Sequence, residues 1–391
     1  MKNGVNNGLS NKSNEKERKV LVILINATAA KTSGALTILK DCIAYIEQNI
    51  VPDKKYHLFT VLNDFNEMKN IQIHKLEPQS WISRIRWDNG GLWRWCQSNN
   101  LEPDIIVSLQ NTSTKYKTKN GLAMTQVVYY HQTLPLNQLN GLYYGFKSML
   151  KYYFYSFFVN RNNAKSYYVV QLPYVKKLFC KKFKNISPVR VEVIRPNIPQ
   201  IDVTSIANKN IILDKNTFKF LYPATQTSYK NHKILISALK KLKKSNPEIL
   251  DKIIIFFTVA KLSNSLMNNI KLNNLGSCIR FLGQLQYKDL LFYYKSVDAL
   301  IFPSKIESFG LPLLEASFFG LPIIVCDLPY SREVLEEYTN KYFIDSNNIE
   351  GWANAIYNFN NYYKITTSNK LIAQKNSWKS FFELVDKLIY E

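Results

Sequence analysis

The stretch Ala299–Gly320, ALIFPSKIESFGLPLLEASFFG, sets two glutamates, Glu307 and Glu315, among residues that are almost all apolar, Gly or Pro. A carboxylate in such surroundings is costly unless it has a task or a partner. ALIF has the length and continuous apolarity of a buried parallel strand. Pro303–Phe309 is then the loop at its carboxyl end. Pro312 suits the first turn of a helix, where a missing N–H is no loss, and Gly320 suits the stop just past the helix end. Glu307 is therefore expected in the loop and Glu315 in the first turn or so of the helix. Both would reach one mouth at the rim of a cleft. The N–H groups of Phe309, Gly310 and Leu311 precede the helix and suit an anion such as a phosphate. Carboxylates beside them suit hydroxyl groups.

Outward from this stretch the same unit recurs. FKFLYP (Phe218–Pro223), IIIFFTV (Ile253–Val259), IRFLG (Ile279–Gly283), PIIVCD (Pro322–Asp327) and KYFI (Lys341–Ile344) all read as strands, with a helix near His232–Lys244. Nearer the amino terminus KVLVILI is strand-like, and Leu36, Leu39, Ile43 and Ile46 follow it at helical spacing. Further strand-like runs lie at Tyr56–Val61, Ile105–Leu109, Gln126–Tyr130, Ser166–Val170 and Val191–Ile194. Strands alternating with helices predict parallel α/β sheets. Residues 196–216, with Pro196, Pro199 and a polar stretch, break the alternation and are expected to link two α/β halves, 19–195 and 217–375. Ligands of such sheets bind beyond the carboxyl ends of the strands, so two halves facing each other predict a cleft site.

Composition narrows the function classes. With 46% hydrophobic residues the chain is globular. Its longest apolar runs, LVILI and YYFYSFFV, are far below the ~20 residues of a membrane span. Residues 1–18 are rich in Asn, Lys and Glu and are expected to form a loose polar tail, not a signal peptide. Five scattered cysteines with no C-x-x-C pair fit reduced thiols in a cytoplasmic protein. The four histidines form no local metal motif, and no D-x-D is present. The net charge of +22 predicts an anionic partner: nucleic acid, anionic lipid or a phosphorylated substrate.

E-S-F-G-L-P-L-L-E is an E-x7-E motif, and with it the chain resembles the retaining glycosyltransferases of family four, which have the GT-B fold. IRFLGQL (Ile279–Leu285), the run Leu290–Pro303 and SREV (Ser331–Val334) agree in order and spacing. The resemblance is strongest over Phe218–Ser346 and continues weakly from Lys19. It implies two Rossmann-like domains facing across a cleft, the first on the acceptor side and the second binding a nucleotide sugar. NSWKSFFELVDKLIY resembles the family's last helix, so residues 376–391 are expected to cross back onto the first domain.

By the same resemblance Glu315 would bind the ribose hydroxyls. Glu307 would contact the donor sugar, with Ser308, Phe309, Gly310 and Leu311 beside it. Lys230, in YPATQTSYKNHK, matches the family's phosphate-binding lysine. The family commonly has an Arg five residues earlier, where this chain has Thr225. Gly34, in the turn Ser33-Gly34-Ala35, and Gly283 are assigned to donor binding. His131, at the end of the strand in VVYYHQTLP, would stand near the reacting sugar carbon, and Asn111 at the same rim would touch the acceptor. Front-side displacement is implied, with Lys230 and the helix N-terminus stabilising the departing phosphate and with no metal or other cofactor.

The acceptor side offers a use for the charge. Between Gly141 and Arg195 there are eleven Lys or Arg and one acid, Glu192. Phe146, Met149, Leu150, Tyr153, Phe154, Phe157 and Phe158 recur at helical spacing and predict one apolar stripe. The stripe and the basic run KKLFCKKFK (Lys176–Lys184) fit a peripheral enzyme on the inner face of a bacterial cytoplasmic membrane. Its acceptor would be lipid-linked, in O-antigen, lipopolysaccharide or capsule assembly. The stripe fits packing into the first domain's core equally well. Two rivals stay open: a sugar-nucleotide epimerase of the same fold, acting on the donor alone, and a basic nucleic-acid-binding protein.

Overall fold

The computed structural model describes residues 20–31, 33–63, 65, 68–77, 80–136, 146–161, 164–196, 206, 217–359 and 377–391. The expected tail and almost all of the expected linker lie outside these residues. Two parallel sheets make up the molecule. The first contains β1 (Leu21–Asn26), β2 (Lys54–Thr60), β3 (Ile71–Lys75), β4 (Ile105–Ser108), β5 (Gln126–Tyr130), β6 (Ser166–Val170) and β7 (Val191–Val193). Its spatial order is β3-β2-β1-β4-β5-β6-β7. The second contains β8 (Phe218–Tyr222), β9 (Ile253–Phe257), β10 (Ile279–Phe281), β11 (Ala299–Phe302), β12 (Ile323–Cys326) and β13 (Lys341–Ile344), in the order β10-β9-β8-β11-β12-β13. Each order is that of a doubly wound sheet. β4, β5, β9, β11 and β12 are buried along their whole length, which is why they read as largely unbroken apolar runs.

One strand escapes the sequence pattern. IQIHK forms β3, an edge strand of which only Ile71 is buried. It alternates apolar and polar residues over a length too short to stand out.

In a doubly wound sheet the chain leaves two neighbouring strands in opposite directions at one point, and a crevice opens there. These points lie between β1 and β4 and between β8 and β11. The register pairs Ile23 with Ile105 through Asn26 with Ser108 in the first sheet. In the second it pairs Ala299 with Phe220 and Leu300 with Leu221.

The last helix, Ser377–Tyr390, packs onto the first sheet. Trp378, Phe381, Phe382, Val385 and Leu388 are buried there beside Ile38, Cys42, Tyr56 and Tyr129. Phe382 stacks on Tyr45 at 5.5 Å, Trp378 stacks on Tyr129 at 5.7 Å, and Lys54 pairs with Asp386 at 2.5 Å. The chain thus ends in the domain where it began. Phe381 has no exposed surface. Phe381→Ala should cost about 3–5 kcal/mol, read as a lower denaturation midpoint with the transition monitored by intrinsic tryptophan fluorescence.

Candidate functional site at the two crevices

In the second sheet the chain leaves β8 at Tyr222 and reaches a short turn, Ser228–Lys230. Asn231 follows with φ 57°, a left-handed conformation that Asn tolerates, and the helix His232–Ser245 begins. Asn231 Nδ2 donates to the Ser346 carbonyl at 2.9 Å, and the Tyr222 hydroxyl donates to the Lys230 carbonyl. The loop after β11 docks on this turn, with Lys305 N donating to the Tyr229 carbonyl at 2.8 Å. Two loops 77 residues apart therefore meet, and Lys230 Nζ lies 2.5 Å from Glu307 Oε1. Both side chains are only 14% and 13% exposed. Each charge answers the burial of the other.

The helix after this loop runs Leu311–Phe318, with Pro312 in its first turn. Gly310 precedes it with φ 93°, and no side chain caps its amino end. A Cβ on Gly310 would be strained by that φ and would sit 3.3 Å from Leu313 Cδ1. Phe309 and Gly310 are buried, whereas Ser308 and Leu311 are half-buried.

Glu315 departs from the expectation of a rim carboxylate. It is the fifth residue of the helix and 6% exposed. Tyr294 donates to its Oε2 at 2.7 Å, and Tyr287 makes a second hydrogen bond. Burial pushes its pKa from 4.5 up to about 7; the two tyrosines oppose this, and the negative charge of Asp41 adds to it. Asp41 belongs to the helix Ser33–Gln48 of the first domain and is itself raised to about 7 by burial. The cost foreseen from the sequence is thus real at Glu315, and two tyrosine hydroxyls answer it. Leu36, Leu39, Ile43 and Ile46 lie on this same helix, yet Asp41 drew no notice because it breaks no pattern.

Gly34 also differs. Ser33-Gly34-Ala35 forms the first turn of the helix Ser33–Gln48, not a separate turn before it. Gly34 is exposed, and nothing lies within 4 Å of where its Cβ would be. Gly283, just beyond β10, has φ 75° and donates to the Val259 carbonyl at 3.2 Å. Thr225 is exposed in the loop after β8.

Across the cleft, His131 and Asn111 meet at the ends of β5 and β4. His131 N donates to Asn111 Oδ1 at 2.7 Å, and Asn111 Nδ2 lies 3.2 Å from His131 Nε2. A backbone N–H only donates, so the amide oxygen of Asn111 must face it. The amide nitrogen then faces Nε2, which has to accept. The imidazole therefore carries its proton on Nδ1, which is buried and has no hydrogen-bond partner among the described residues. Burial lowers the His131 pKa to about 4, so the ring is neutral at pH 7. Asn111 holds this geometry from φ 68°.

A buried polar network that sequence reasoning missed supports the same rim. Asp88 accepts from Gln110 Nε2 at 2.6 Å, Thr112 Oγ1 at 2.8 Å and Asn26 Nδ2 at 3.3 Å. Burial raises the Asp88 pKa to about 6, against the pull of Arg84 and its three donors. A small pocket beside it is lined by Trp81, Arg84, Ile85, Asp88, Thr112, Tyr155 and Phe158. These residues come from four distant segments, each without a local motif. The sole signal was Asp88 within the apolar, Trp-rich run WISRIRWDNGGLWRW.

The profile of the family "Glycosyl transferases group 1" matches residues 205–375. The chain carries a group 1 glycosyl transferase domain. Among curated relatives, the O-antigen chain mannosyltransferase RfbU of Salmonella typhimurium is 25% identical over 242 residues, which is 59% of this chain and 64% of that protein. The UDP-Gal:alpha-D-GlcNAc-diphosphoundecaprenol alpha-1,3-galactosyltransferase of Escherichia coli is 26% identical over 187 residues, 46% of this chain and 48% of that protein. These matches span between about half and two thirds of the relatives' length. Among solved structures, WaaG, a glycosyltransferase involved in lipopolysaccharide biosynthesis, superposes with a TM-score of 0.63 at 14% identity, covering 86% of this chain and 90% of WaaG. HepE of Anabaena, solved with UDP and glucose, also gives 0.63 at 14% identity, covering 94% of this chain and 99% of its own. The fold is GT-B.

Within the group 1 domain lie Lys230, Glu307 and Glu315; His131 and Asn111 stand opposite on the first domain. The buried acids make a pH signature. Between pH 4.5 and about 7 the folded protein keeps a proton on Glu315 that the unfolded chain has lost, so stability falls as pH rises through this window. Glu315→Gln removes the ionisation. Its melting temperature relative to the parent protein should climb as pH rises from about 5 to about 8, measured by differential scanning fluorimetry. A pH-independent difference would contradict the buried, partly protonated carboxyl.

Proposed function

We propose that the chain is a retaining glycosyltransferase. It moves a hexosyl or deoxyhexosyl group from a GDP- or UDP-linked sugar to a lipid-linked saccharide in surface-polysaccharide assembly. The observation that carries this is the meeting of Lys230, Glu307 and an uncapped helix N-terminus at the β8/β11 crevice, opposite His131. A cation and free amides suit a diphosphate, and a half-buried carboxylate beside them suits sugar hydroxyls.

In this proposal Glu315 and its tyrosines hold the ribose. Phe309, Gly310 and Leu311 present amides to the phosphates, and Gly310 lets the backbone approach. Glu307 holds the sugar, and Lys230 exchanges its carboxylate partner for the leaving phosphate. The bond from the anomeric carbon to the phosphate oxygen breaks as the bond to the acceptor oxygen forms on the same face. The acceptor's proton passes to the departing phosphate. Charge develops on that phosphate, where Lys230 and the helix dipole are already oriented, so stabilisation is strongest in the transition state. His131, neutral and fixed by Asn111, presents a polar edge without adding charge.

The acceptor side rests on the first domain. The galactosyltransferase relative acts, by its name, on a diphosphoundecaprenol-linked sugar. In the helix Phe146–Arg161, Tyr153 is 71% and Phe157 42% exposed, whereas Phe158 is buried. The stripe thus divides between core and surface; the side chains of Phe146, Met149, Leu150 and Phe154 lie outside the described residues. Lys177, Lys181, Lys182 and Lys184 are exposed, while Phe179 and Phe183 between them are buried. These features support a peripheral enzyme on the cytoplasmic membrane face. No helix among the described residues is long and apolar enough to cross a membrane.

Thermal shift with GDP- and UDP-sugars tests the donor, since a ligand of the native state raises its melting temperature. One class should stabilise the protein; no shift with either overturns the proposal. Lys230→Ala should lower kcat by about a hundredfold or more, on the scale of losing one oriented transition-state donor. Glu315→Ala should weaken nucleotide binding by at least about tenfold, the loss of hydrogen bonds from hydroxyls to a buried carboxyl group, measured by calorimetry. Transfer should survive EDTA; loss restored by Mg²⁺ or Mn²⁺ would refute metal independence.

A further inference from the structure

Tyr174 is a residue through which the two domains touch at the site. It lies in the first turn of the helix Pro173–Lys182, just beyond β6, at the carboxyl rim of the first sheet. Its backbone N–H donates to both carboxylate oxygens of Glu333, at 3.0 and 3.1 Å. Glu333 belongs to the helix Pro329–Val334 of the second domain. A carboxylate of one domain thus caps a helix N-terminus of the other, where unpaired amides and the helix dipole favour a negative charge. The contact fixes the main chain of Tyr174 and so aims its side chain.

The phenol then does two things at once. It donates to the backbone carbonyl of Glu307, in the loop after β11. It also shares a hydrogen bond with Thr133, two residues beyond His131. The oxygen of a tyrosine has one donor and accepting lone pairs, so both bonds are made together. A single oxygen atom therefore joins the His131 loop of one domain to the Glu307 loop of the other. The Glu307 loop is held from its own domain as well, because Tyr330 donates to the Ser304 carbonyl at 2.7 Å. With Tyr330 on one side and Tyr174 on the other, the backbone of Glu307 is set relative to both domains.

We propose that Tyr174 is a positioning residue that registers the Glu307 loop against the His131 loop when the cleft is closed. The inference rests on the sugar-transfer function above. It assigns to Tyr174 no contact with substrate. Its work is to keep the distance between the donor-sugar side and the acceptor side constant during transfer. Small displacements there are expensive in rate, because reacting atoms must be held in near-attack geometry.

Tyr174→Phe keeps the ring and the bond from its backbone to Glu333, and loses the shared hydroxyl. Its kcat should fall about five- to tenfold while KM for the nucleotide sugar stays within about twofold, the scale of one net hydrogen bond. Thr133→Val should lower kcat in the same direction. The double variant should be no worse than Tyr174→Phe alone, because both remove the same bridge. Additive losses, or a rise in KM with kcat unchanged, would overturn the proposal. Amide exchange supplies an arm that needs no activity. Residues 303–310 and 131–136 should lose protection together in Tyr174→Phe, while the strands of both sheets keep theirs. Loss in one loop alone would overturn the proposal. Joint loss in a protein whose parent transfers no sugar would uphold the bridge and count against the transferase function instead.

Discussion

The parallel pairing of β8 with β11 constrains everything else at the site. Once Phe220 lies beside Ala299 and Leu221 beside Leu300, the chain must leave these strands toward opposite faces of the sheet. The loops at their carboxyl ends have no helix between them and come together. Lys230 and Glu307 are placed by this crossing alone, and neither would have a partner in a sheet of another order. The β1/β4 pair does the same in the first domain, where Asn26 and Gln110 converge on Asp88.

Electrostatics follows from that placement. Burial works against both acids that approach each other between the domains, Glu315 and Asp41, and pushes each toward its neutral form. Lys230 and Glu307 escape the same cost by pairing. The group 1 domain therefore holds one carboxylate paired with a lysine and another that burial, against two tyrosine hydrogen bonds, pushes toward its neutral form. Two carboxyl groups of one motif thus meet different surroundings, Glu307 a lysine and Glu315 two tyrosines. On the opposite rim, His131 contributes a fixed tautomer and no charge. The net charge of the chain resides elsewhere, on exposed lysines such as those of the helix Pro173–Lys182.

Among the described residues, an apolar cluster and several polar contacts join the two domains. The last helix returns the chain to the first domain and buries five large apolar side chains there. Glu333 caps a helix of the other domain, and Tyr174 touches a loop on each side.

Much of this was legible in the amino-acid sequence. The six strands of the second sheet and six of the seven in the first are apolar runs between turn signals, since a strand buried on both faces tolerates little else. Pro312 marked the start of a helix and Gly320 its end, because backbone geometry favours them there. Lys230, Glu307 and Glu315 were singled out by their setting in the sequence. What the sequence left open was depth and partnership. Glu315 is enclosed by Tyr287, Tyr294 and Asp41, from two other helices, and burial with the charge of Asp41 pushes it toward its protonated form. Edge strand β3 was hidden, since half of its residues face water. Asp88, Tyr174, Thr133 and Glu333 carry no local signature at all. Their roles exist only between segments far apart in the chain, brought together by the order of the strands and the closeness of the two domains. A periodic pattern records which face of an element is buried; only the packed structure decides what that face meets.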